Sequence, residues 1–382
     1  MNDLPKVFDD FSDSRKKGFI RIKNLKDEGK KVVGTFCTFT PWEIINASGA
    51  VAVSLCAKSD ETIEDAEKYL PRNLCPLIKS SYGFAITDKC PYFYFSDLIV
   101  GETTCDGKKK MYEYLSKIKN VHVMQLPQTN MGEDSFKLWK NEILKLKAKL
   151  EGEFGVNITE QDIQKSIRTR NRERKALMEF SALGKMDPPP ITGIEMFKVL
   201  NGASFKWDKS AEIDEIHKLI DDVIEEQNSG KEKVSKNAKR ILVTGCPLGE
   251  STEKIINAIE KNGGVVVCYE NCTGIKETSR LVDESKDPID ALTEKYLNIG
   301  CSCMTPNDNR KRLISELVDE YKVDGVIDVI LQACHTYSVE SYGIKKFVTE
   351  EKNVPYMSIE TDYSQTDIGQ IKTRVSAFIE ML

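Results

Sequence analysis

The residues of this chain whose type and spacing could support chemistry are its 11 cysteines. A cysteine thiolate is a soft ligand that suits zinc and iron–sulfur clusters. In open α/β folds, ligands come from loops at the carboxyl ends of the strands, because the strands themselves are buried. Most of the cysteines lie at predicted strand ends or in predicted loops, namely Cys37, Cys75, Cys105, Cys246, Cys272, Cys301, Cys303 and Cys334.

The other three cysteines give weaker signals. Cys56 and Cys268 fall within or just beyond apolar runs. Cysteine is often buried as a small hydrophobic residue, so we interpret both as core residues. Cys90, in the stretch DKCPYF, is assigned to neither group.

The spacing of the cysteines separates the possible kinds of metal centre. A zinc ribbon needs paired C-x2-C knuckles, whereas the one close pair here is C-x-C at Cys301 and Cys303. The compact C-x2-C-x2-C run of small ferredoxins is also missing. Only three histidines occur, so the sequence does not favour a histidine-based catalytic metal site. Thiolates from the strand-end loops of two domains would form a sulfur-rich cleft that suits iron–sulfur clusters.

The composition is that of a globular protein, with 40% hydrophobic and 30% charged residues, and 55 Lys and Arg against 60 Asp and Glu give a net charge of −5. No stretch approaches the ~18 apolar residues of a membrane span, and Met1 leads into an acidic segment rather than a signal sequence. We therefore expect a cytoplasmic protein without membrane association, whose cysteines do not form structural disulfides. The lack of a sustained basic run argues against nucleic-acid binding.

Strand-like and helix-like segments alternate in two parts of the chain, which predicts two doubly wound parallel-sheet domains of the flavodoxin or Rossmann type. We expect an N-terminal helix in 1–29 and a helical segment with a linker in 134–237. The first α/β domain, 30–133, has predicted strands at 30–39, 51–57, 81–88, 95–105 and 120–127. The second, 238–382, has predicted strands at 240–245, 264–270, 324–332 and 355–362.

Two further motifs each have a simpler interpretation beside a functional one. TGCPLG at 244–249 lies between a strand and a helix, but it lacks the G-K-[ST] of a phosphate loop and the third Gly of a dinucleotide motif, so an ordinary turn is favoured. GETTCDGKKKM at 101–111 could bind an anion at a helix start, and its three lysines equally fit a solvated first turn.

Four longer stretches identify a family. They are TPWEIINASGAVAV (40–53), ETTCDGKKKMYE (102–113), DGVIDVILQACHTYSVES (324–341) and the C-terminal 355–382. In these the chain resembles the 2-hydroxyacyl-CoA dehydratase family, which includes benzoyl-CoA reductase subunits. The resemblance implies a 4Fe-4S cubane held by three cysteines, which by motif are Cys75, Cys105 and Cys334.

The cysteine-rich stretches PRNLCPLIKSSYGFAITDKCPYF (71–93) and IGCSCMTPN (299–307) are most similar to the double-cubane members of that family. The resemblance implies that one chain binds two cubanes joined by a bridging sulfide, about eight irons in all, with six cysteine ligands. The three further ligands are expected to be Cys37, Cys272 and Cys303. The alternatives are Cys301 for Cys303, Cys246 for Cys272, and Cys90.

The resemblance also implies a partner, a separate ATP-hydrolysing activator with its own 4Fe-4S cluster that delivers electrons one at a time. The chain itself has no ATP motif, so no nucleotide cofactor is expected in it. We expect a homodimeric reductase component that reduces small molecules. Two alternatives stay open: a 2-hydroxyacyl-CoA dehydratase subunit with a single cubane, and an electron-storage or cluster-carrier protein.

Three side chains near the expected cleft could supply protons during reduction. They are Glu43, His335 and Glu340. Each equally fits a structural hydrogen-bonding role at the start of a helix.

Overall fold

The computed structural model describes residues 13–249 and 252–382. Of the predicted N-terminal helix, 1–12 lie outside the described residues, and a helix, α1, spans Asp13–Asp27. The chain forms two compact units. Unit 1 consists of the residues up to Arg168 together with Val282–Leu297, and unit 2 consists of Thr169–Leu281 and Asn298–Leu382.

Unit 1 contains a four-stranded sheet in which every neighbouring pair of strands is parallel. The strand order is β2-β1-β3-β4. The register pairs Val33 of β1 with Leu98 of β3 and with Ala52 of β2. The strands are β1 (Val32–Thr35), β2 (Val51–Ser54), β3 (Leu98–Glu102) and β4 (Val121–Met124).

The helices of unit 1 cover this sheet, and its last long helix, α8, continues into unit 2. They are α2 (Trp42–Ala47), α3 (Ile63–Ala66), α4 (Pro76–Ile86), α5 (Pro91–Phe95), α6 (Asp106–Leu115), α7 (Glu133–Phe154), α8 (Glu160–Ser181) and α12 (Pro288–Leu297).

Unit 2 contains a second four-stranded parallel sheet with the equivalent order, β6-β5-β7-β8. Its strands are β5 (Lys239–Gly245), β6 (Gly264–Glu270), β7 (Gly325–Leu331) and β8 (Tyr356–Thr361). Its helices are α9 (Gly193–Ala203), α10 (Lys209–Asn228), α11 (Glu253–Lys261), α13 (Asp308–Glu320), α14 (His335–Lys346) and α15 (Ile368–Met381), with a 3-10 turn at Ala182–Lys185 and a π-helical turn at Phe347–Glu351.

The sheet of unit 2 is covered on both faces, which explains its nearly unbroken apolar strands. Ile241 and Val243 of β5 pack into one hydrophobic cluster, while Leu242 between them packs into another. This alternation is the period-2 pattern of a strand with a core on each side. Two doubly wound α/β folds, as predicted, are therefore confirmed.

One predicted strand of the first domain is wrong. The stretch 81–88 lies mostly in helix α4, which begins with Pro76 as its first residue. Pro at that position has no N–H to leave unpaired and its fixed φ suits a helix. Residues Pro76–Ala85 are buried on every side of the helix. A helix that is buried on all sides has no exposed face to give its sequence a helical period, so a short stretch of it resembles a buried strand.

The described helices include none that is both long and apolar enough to cross a membrane. None of the 11 cysteines, all of which lie in described residues, is in a disulfide bond.

Candidate metal centre

Cys105 and Cys334 occupy the same place in the two sheets. Cys105 is the third residue after β3 ends at Glu102, and it is the N-cap of α6. Cys334 is the third residue after β7 ends at Leu331, and it is the N-cap of α14. β3 and β7 hold the same position in the two strand orders. Each unit thus places one cysteine at the carboxyl edge of its sheet, at the start of a helix.

Cys75 also begins a helix, because it is the N-cap of α4. The start of α4 packs tightly against the start of α6: a Cβ atom added at Gly107 would lie 2.6 Å from Cδ1 of Ile78 and 3.1 Å from Cδ1 of Leu74. Cys75 lies between Leu74 and Ile78 in the chain. The close approach therefore places Cys75 and Cys105 at neighbouring helix starts of unit 1.

Helix N-termini favour the thiolate form of cysteine, since the backbone N–H groups and the helix dipole present partial positive charge there. All three cysteines that the family motif assigns to a cubane, Cys75, Cys105 and Cys334, are helix N-caps. Cys90 is an N-cap too, but its sulfur accepts a hydrogen bond from the Phe93 N–H at 3.4 Å.

Two more cysteines of unit 1 follow the neighbouring strands. Cys37 comes two residues after β1 and Cys56 two residues after β2. The Cys56 thiol donates a hydrogen bond to the Phe36 carbonyl at 2.8 Å. Cys56 is only half-buried, so its interpretation as a core residue is wrong, whereas Cys268 is 1% exposed, as expected of a core residue.

The cysteines of unit 2 divide into packed and more open positions. Cys246 follows β5 directly and is 1% exposed, and its sulfur accepts the Leu331 N–H at 3.3 Å. Cys272 follows β6 by two residues and is half-buried. In the C-x-C pair, Cys301 is buried and Cys303 half-buried. A hydrogen bond with Cys303 lowers the pKa of Cys301 to about 6, helped by the Lys276 ammonium and opposed by burial.

A buried ionic network lies beside Cys272 and Cys301. Lys276 Nζ is 3.3 Å from Glu270 Oε1 and donates to the Tyr337 hydroxyl at 2.7 Å. Arg310 Nε donates to the other oxygen of Glu270 at 3.2 Å. Burial acts to lower the pKa of Lys276. The negative charges of Glu270, Cys272 and Cys301 have a larger, opposite effect, so the pKa of Lys276 is raised overall. The network therefore holds two fixed positive charges against acids and thiols in the interior.

The three candidate proton donors have different surroundings. Glu43 is fully buried on α2, and its Oε2 accepts the Tyr296 hydroxyl at 2.7 Å. Glu340 accepts hydrogen bonds from Arg310 Nη1 and Asn307 Nδ2. His335 is exposed at the first position of α14.

Sequence reasoning missed one buried acid, Glu102, at the last position of β3. It is fully buried and accepts a hydrogen bond from the Thr40 hydroxyl. Burial raises its pKa to about 7, against the opposing effects of Thr40 and Lys108. The sequence feature that could have identified Glu102 is an acidic residue at the end of an otherwise apolar strand, three residues before Cys105.

Of the three lysines at the start of α6, one is interior. Lys108 is 8% exposed, and its Nζ donates to the Phe36 carbonyl at 2.8 Å. Burial lowers its pKa, but Tyr112, Cys37, Cys56 and Glu102 together raise the pKa well above its usual value. Lys109 and Lys110 instead pair at the surface with Asp106 and Glu113. The solvated interpretation of this run therefore holds for two lysines and is wrong for Lys108.

The donor set fits an iron–sulfur cluster better than a single ion. Within 13–249 and 252–382, no three His, Cys, Asp or Glu side chains come close enough together to hold one metal ion. A cubane makes a different demand, because each thiolate binds a different iron of the cluster. Cysteines at separate helix starts could each supply a thiolate to a different iron.

Comparison with known proteins shows the family to which the chain belongs. Residues 37–382 match the family described as 2-hydroxyglutaryl-CoA dehydratase, D-component. An Escherichia coli (strain K12) protein with the provisional name of dehydratase subunit YjiM is 56% identical over 382 residues, which cover 100% of this chain and 99% of that protein.

Two more distant relatives have more specific names. The (R)-phenyllactyl-CoA dehydratase beta subunit of Clostridium sporogenes is 26% identical over 388 residues, covering 100% of both chains. One of the benzoyl-CoA reductase subunits of Thauera aromatica is 19% identical over 365 residues, covering 93% of this chain and 92% of that one. The relatives thus include both dehydratase and reductase subunits.

Proposed function

Because the chain belongs to the 2-hydroxyglutaryl-CoA dehydratase D-component family, we propose that it is an iron–sulfur reductase component that passes low-potential electrons to a small molecule. The observation that carries the proposal is that Cys75, Cys105 and Cys334 are all N-caps of helices, two of them at equivalent strand ends. Thiolates are stabilised at such positions before any metal is bound.

The proposed ligand set has two parts. Cys75, Cys105 and Cys334 bind the cubane shared by the whole family. Cys37, Cys272 and Cys303 bind a second cubane, which would make the centre a double cubane. Cys272 is preferred over Cys246, because the sulfur of Cys246 is buried and already accepts the Leu331 N–H. Cys301 stays the alternative to Cys303, since it is the C-x-C member beside the Lys276 ammonium.

A cubane supplies single electrons, at a potential that falls with negative charge and with a dry surrounding. The chain's own residues act on the ligands of such a centre. Helix starts and the buried ammonium groups of Lys108 and Lys276 favour the thiolate form of nearby cysteines. Glu43, His335 and Glu340 are the proposed proton carriers, of which Glu43 is oriented by Tyr296 and Glu340 by Arg310.

The electron donor in this proposal is a separate ATP-hydrolysing protein with its own 4Fe-4S cluster. The chain has no G-K-[ST] phosphate loop, so an ATP-driven step would require a second protein. We propose that the chain works in the cytoplasm as a homodimer.

A second candidate is a dehydratase subunit that removes water from a 2-hydroxyacyl-CoA thioester with a single cubane. The names of the relatives favour it, since a dehydratase beta subunit matches over the full length of this chain. The number of cysteines favours the reductase instead, because 11 cysteines exceed the three that one family cubane uses.

Iron and sulfide analysis of the anaerobically purified chain separates these candidates. The double cubane requires about eight irons per chain, four for each cubane. About four irons would favour the dehydratase, and zinc without iron would exclude both. Substrate turnover measured with and without an activating ATPase and MgATP then tests electron delivery. Equal turnover in both would contradict the proposed donor, and a full iron content without any turnover would indicate electron storage.

A further inference from the structure

Lys108 differs from four other buried lysines in its charge partner. Each of these four has a carboxylate oxygen within ion-pair distance. The pairs are Lys79 with Glu67, Lys209 with Glu173 and Glu212, Lys254 with Asp367, and Lys276 with Glu270. Within the described part of the chain, Lys108 has no such carboxylate, and its hydrogen-bond acceptor is the Phe36 carbonyl. A buried ammonium without an anion is strongly unfavourable.

The groups that face Lys108 come from four elements. They are Cys37 after β1, Cys56 after β2, Glu102 at the end of β3 and Tyr112 on α6 itself. Burial raises the pKa of Tyr112 well above its usual value, so the phenol stays neutral. Glu102 is bound to Thr40 and is not within ion-pair distance of Lys108. The Cys56 thiol donates a hydrogen bond to the Phe36 carbonyl and so keeps its proton, which leaves Cys37 as the group that can carry an anion at this position.

We propose that Lys108 is the counter-charge of an anionic sulfur-ligated centre bound through Cys37. This inference rests on the proposed iron–sulfur function and adds to it a residue that positions charge without ligating iron. The Phe36 carbonyl fixes the ammonium, and Phe36 directly precedes Cys37, so the charge and the thiolate are held by adjacent residues.

The consequence is electrostatic. Reduction adds one electron to the centre and makes it more negative, while Lys108 keeps its proton and breaks no bond. A fixed positive charge at short range, in an interior that screens weakly, stabilises the reduced state more than the oxidised one. Lys108 therefore raises the reduction potential of the centre.

The test compares three variants of the full chain, purified anaerobically with their iron. Lys108→Met removes the charge and keeps most of the side-chain volume, whereas Lys108→Arg keeps the charge. Lys110→Met is the matched control, because Lys110 lies two residues further along α6, is 70% exposed and pairs with Glu113 at the surface. Iron per chain and the reduction potential by spin-resonance titration are measured for each.

We expect Lys108→Met to keep its iron and to show at least a tenfold lower ratio of reduced to oxidised centre at a fixed ambient potential. For a one-electron couple this is a shift of about 59 mV to more negative values. Lys108→Arg and Lys110→Met should titrate like the wild type. Loss of iron in Lys108→Met with iron retained in Lys108→Arg would also support the proposal, because the retained positive charge would then account for the bound iron.

Three results would overturn the inference. One is a Lys108→Met potential equal to that of the wild type. Another is loss of iron in both Lys108 variants, which would assign Lys108 a packing role. The third is a wild type that binds no iron under anaerobic reconstitution, which overturns the proposed function as well. An iron-loaded wild type with an unshifted variant overturns the inference alone.

Discussion

Arg310 and Glu270 form a fully buried ion pair at the carboxyl end of the second sheet, with Arg310 Nε 3.2 Å from Glu270 Oε2. The same guanidinium donates to Thr244 at 2.9 Å and lies 3.7 Å from Asp328, and it stacks over the Tyr337 ring. One arginine thus faces Glu270 at the end of β6, Asp328 within β7 and Glu340 on α14.

Replacing Arg310 by Met should therefore destabilise unit 2 by about 3–5 kcal/mol, since buried carboxylates lose their partner. Urea unfolding of the iron-free protein measures the change. Arg312→Met is the control, because Arg312 lies on the same helix and is 52% exposed. Equal stability of the two variants would show that water or other groups replace Arg310.

Replacing Cys105 or Cys334 by Ala should remove most of the iron, because each is a proposed ligand at an equivalent strand end. Iron analysis and visible absorption of anaerobic protein measure the loss. Cys268→Ala is the control: Cys268 is 1% exposed in a hydrophobic core, so its loss should cost on the order of 1 kcal/mol and no iron. Full iron in the Cys105 and Cys334 variants would contradict the ligand set.

Replacing Cys37, Cys272 or Cys303 by Ala should leave about half of the wild-type iron and change the spin-resonance signal, because one cubane of two is lost. If all three variants keep full iron and activity, Cys246, Cys301 and Cys90 become the candidates. Loss of all iron in each of them would instead indicate one cubane that needs these ligands.

Glu102→Gln should change how stability depends on pH. Burial raises the pKa of Glu102 from 4.5 to about 7, so the folded state holds its proton more tightly than the unfolded state does. The free energy of unfolding of the wild type, relative to that of the variant, should fall by about 3 kcal/mol as pH rises from about 4.5 to about 7. Above that pH the difference should stay constant. Urea unfolding of both iron-free proteins across this range measures the difference. A constant difference would contradict the raised pKa.

Gly107→Val should disturb the start of α6, because a Cβ at that position would lie 2.6 Å from Ile78. We expect lower iron content together with lower stability, since both Cys75 and Cys105 depend on this packing. Gly152→Ala is the control: Gly152 lies inside α7 with nothing within 4 Å of an added Cβ. That substitution should stabilise the helix by about 0.5–1 kcal/mol and leave iron unchanged. A Gly107→Val protein with full iron would show that the two helix starts move independently.

The strands of the second domain were predictable because their sequences are apolar, β-branched and bounded by polar residues. GVVVCYE was predicted as a strand at 264–270, and β6 has those limits. The stretch 81–88 was not predictable in the same way, since the helix that contains most of it is buried on all sides and has no exposed face. Only the tertiary packing around α4 decides between a strand and a helix there.

The same contrast holds at the site. Cysteines at strand ends can be recognised from sequence, because a strand end is a local pattern. Burial of Lys108 cannot be recognised, since Lys109 and Lys110 have the same local sequence and differ only in the direction that the helix gives each side chain. Cys56 was misjudged for a related reason, because it lies just beyond the apolar run and is half-buried.

The division of the chain into units sets an order of events during synthesis. Helix α12 belongs to unit 1, where Lys140 pairs with Asp290 and Glu43 accepts the Tyr296 hydroxyl. A ribosome therefore makes Thr169–Leu281 of unit 2 before it reaches α12. Until then the nascent first unit lacks helix α12, and the buried carboxyl of Glu43 lacks its hydrogen bond from the Tyr296 hydroxyl. Unit 1 can reach its final packing only after that stretch of unit 2 has been made, so truncation after Arg168 would yield an incomplete domain that exposes apolar surface.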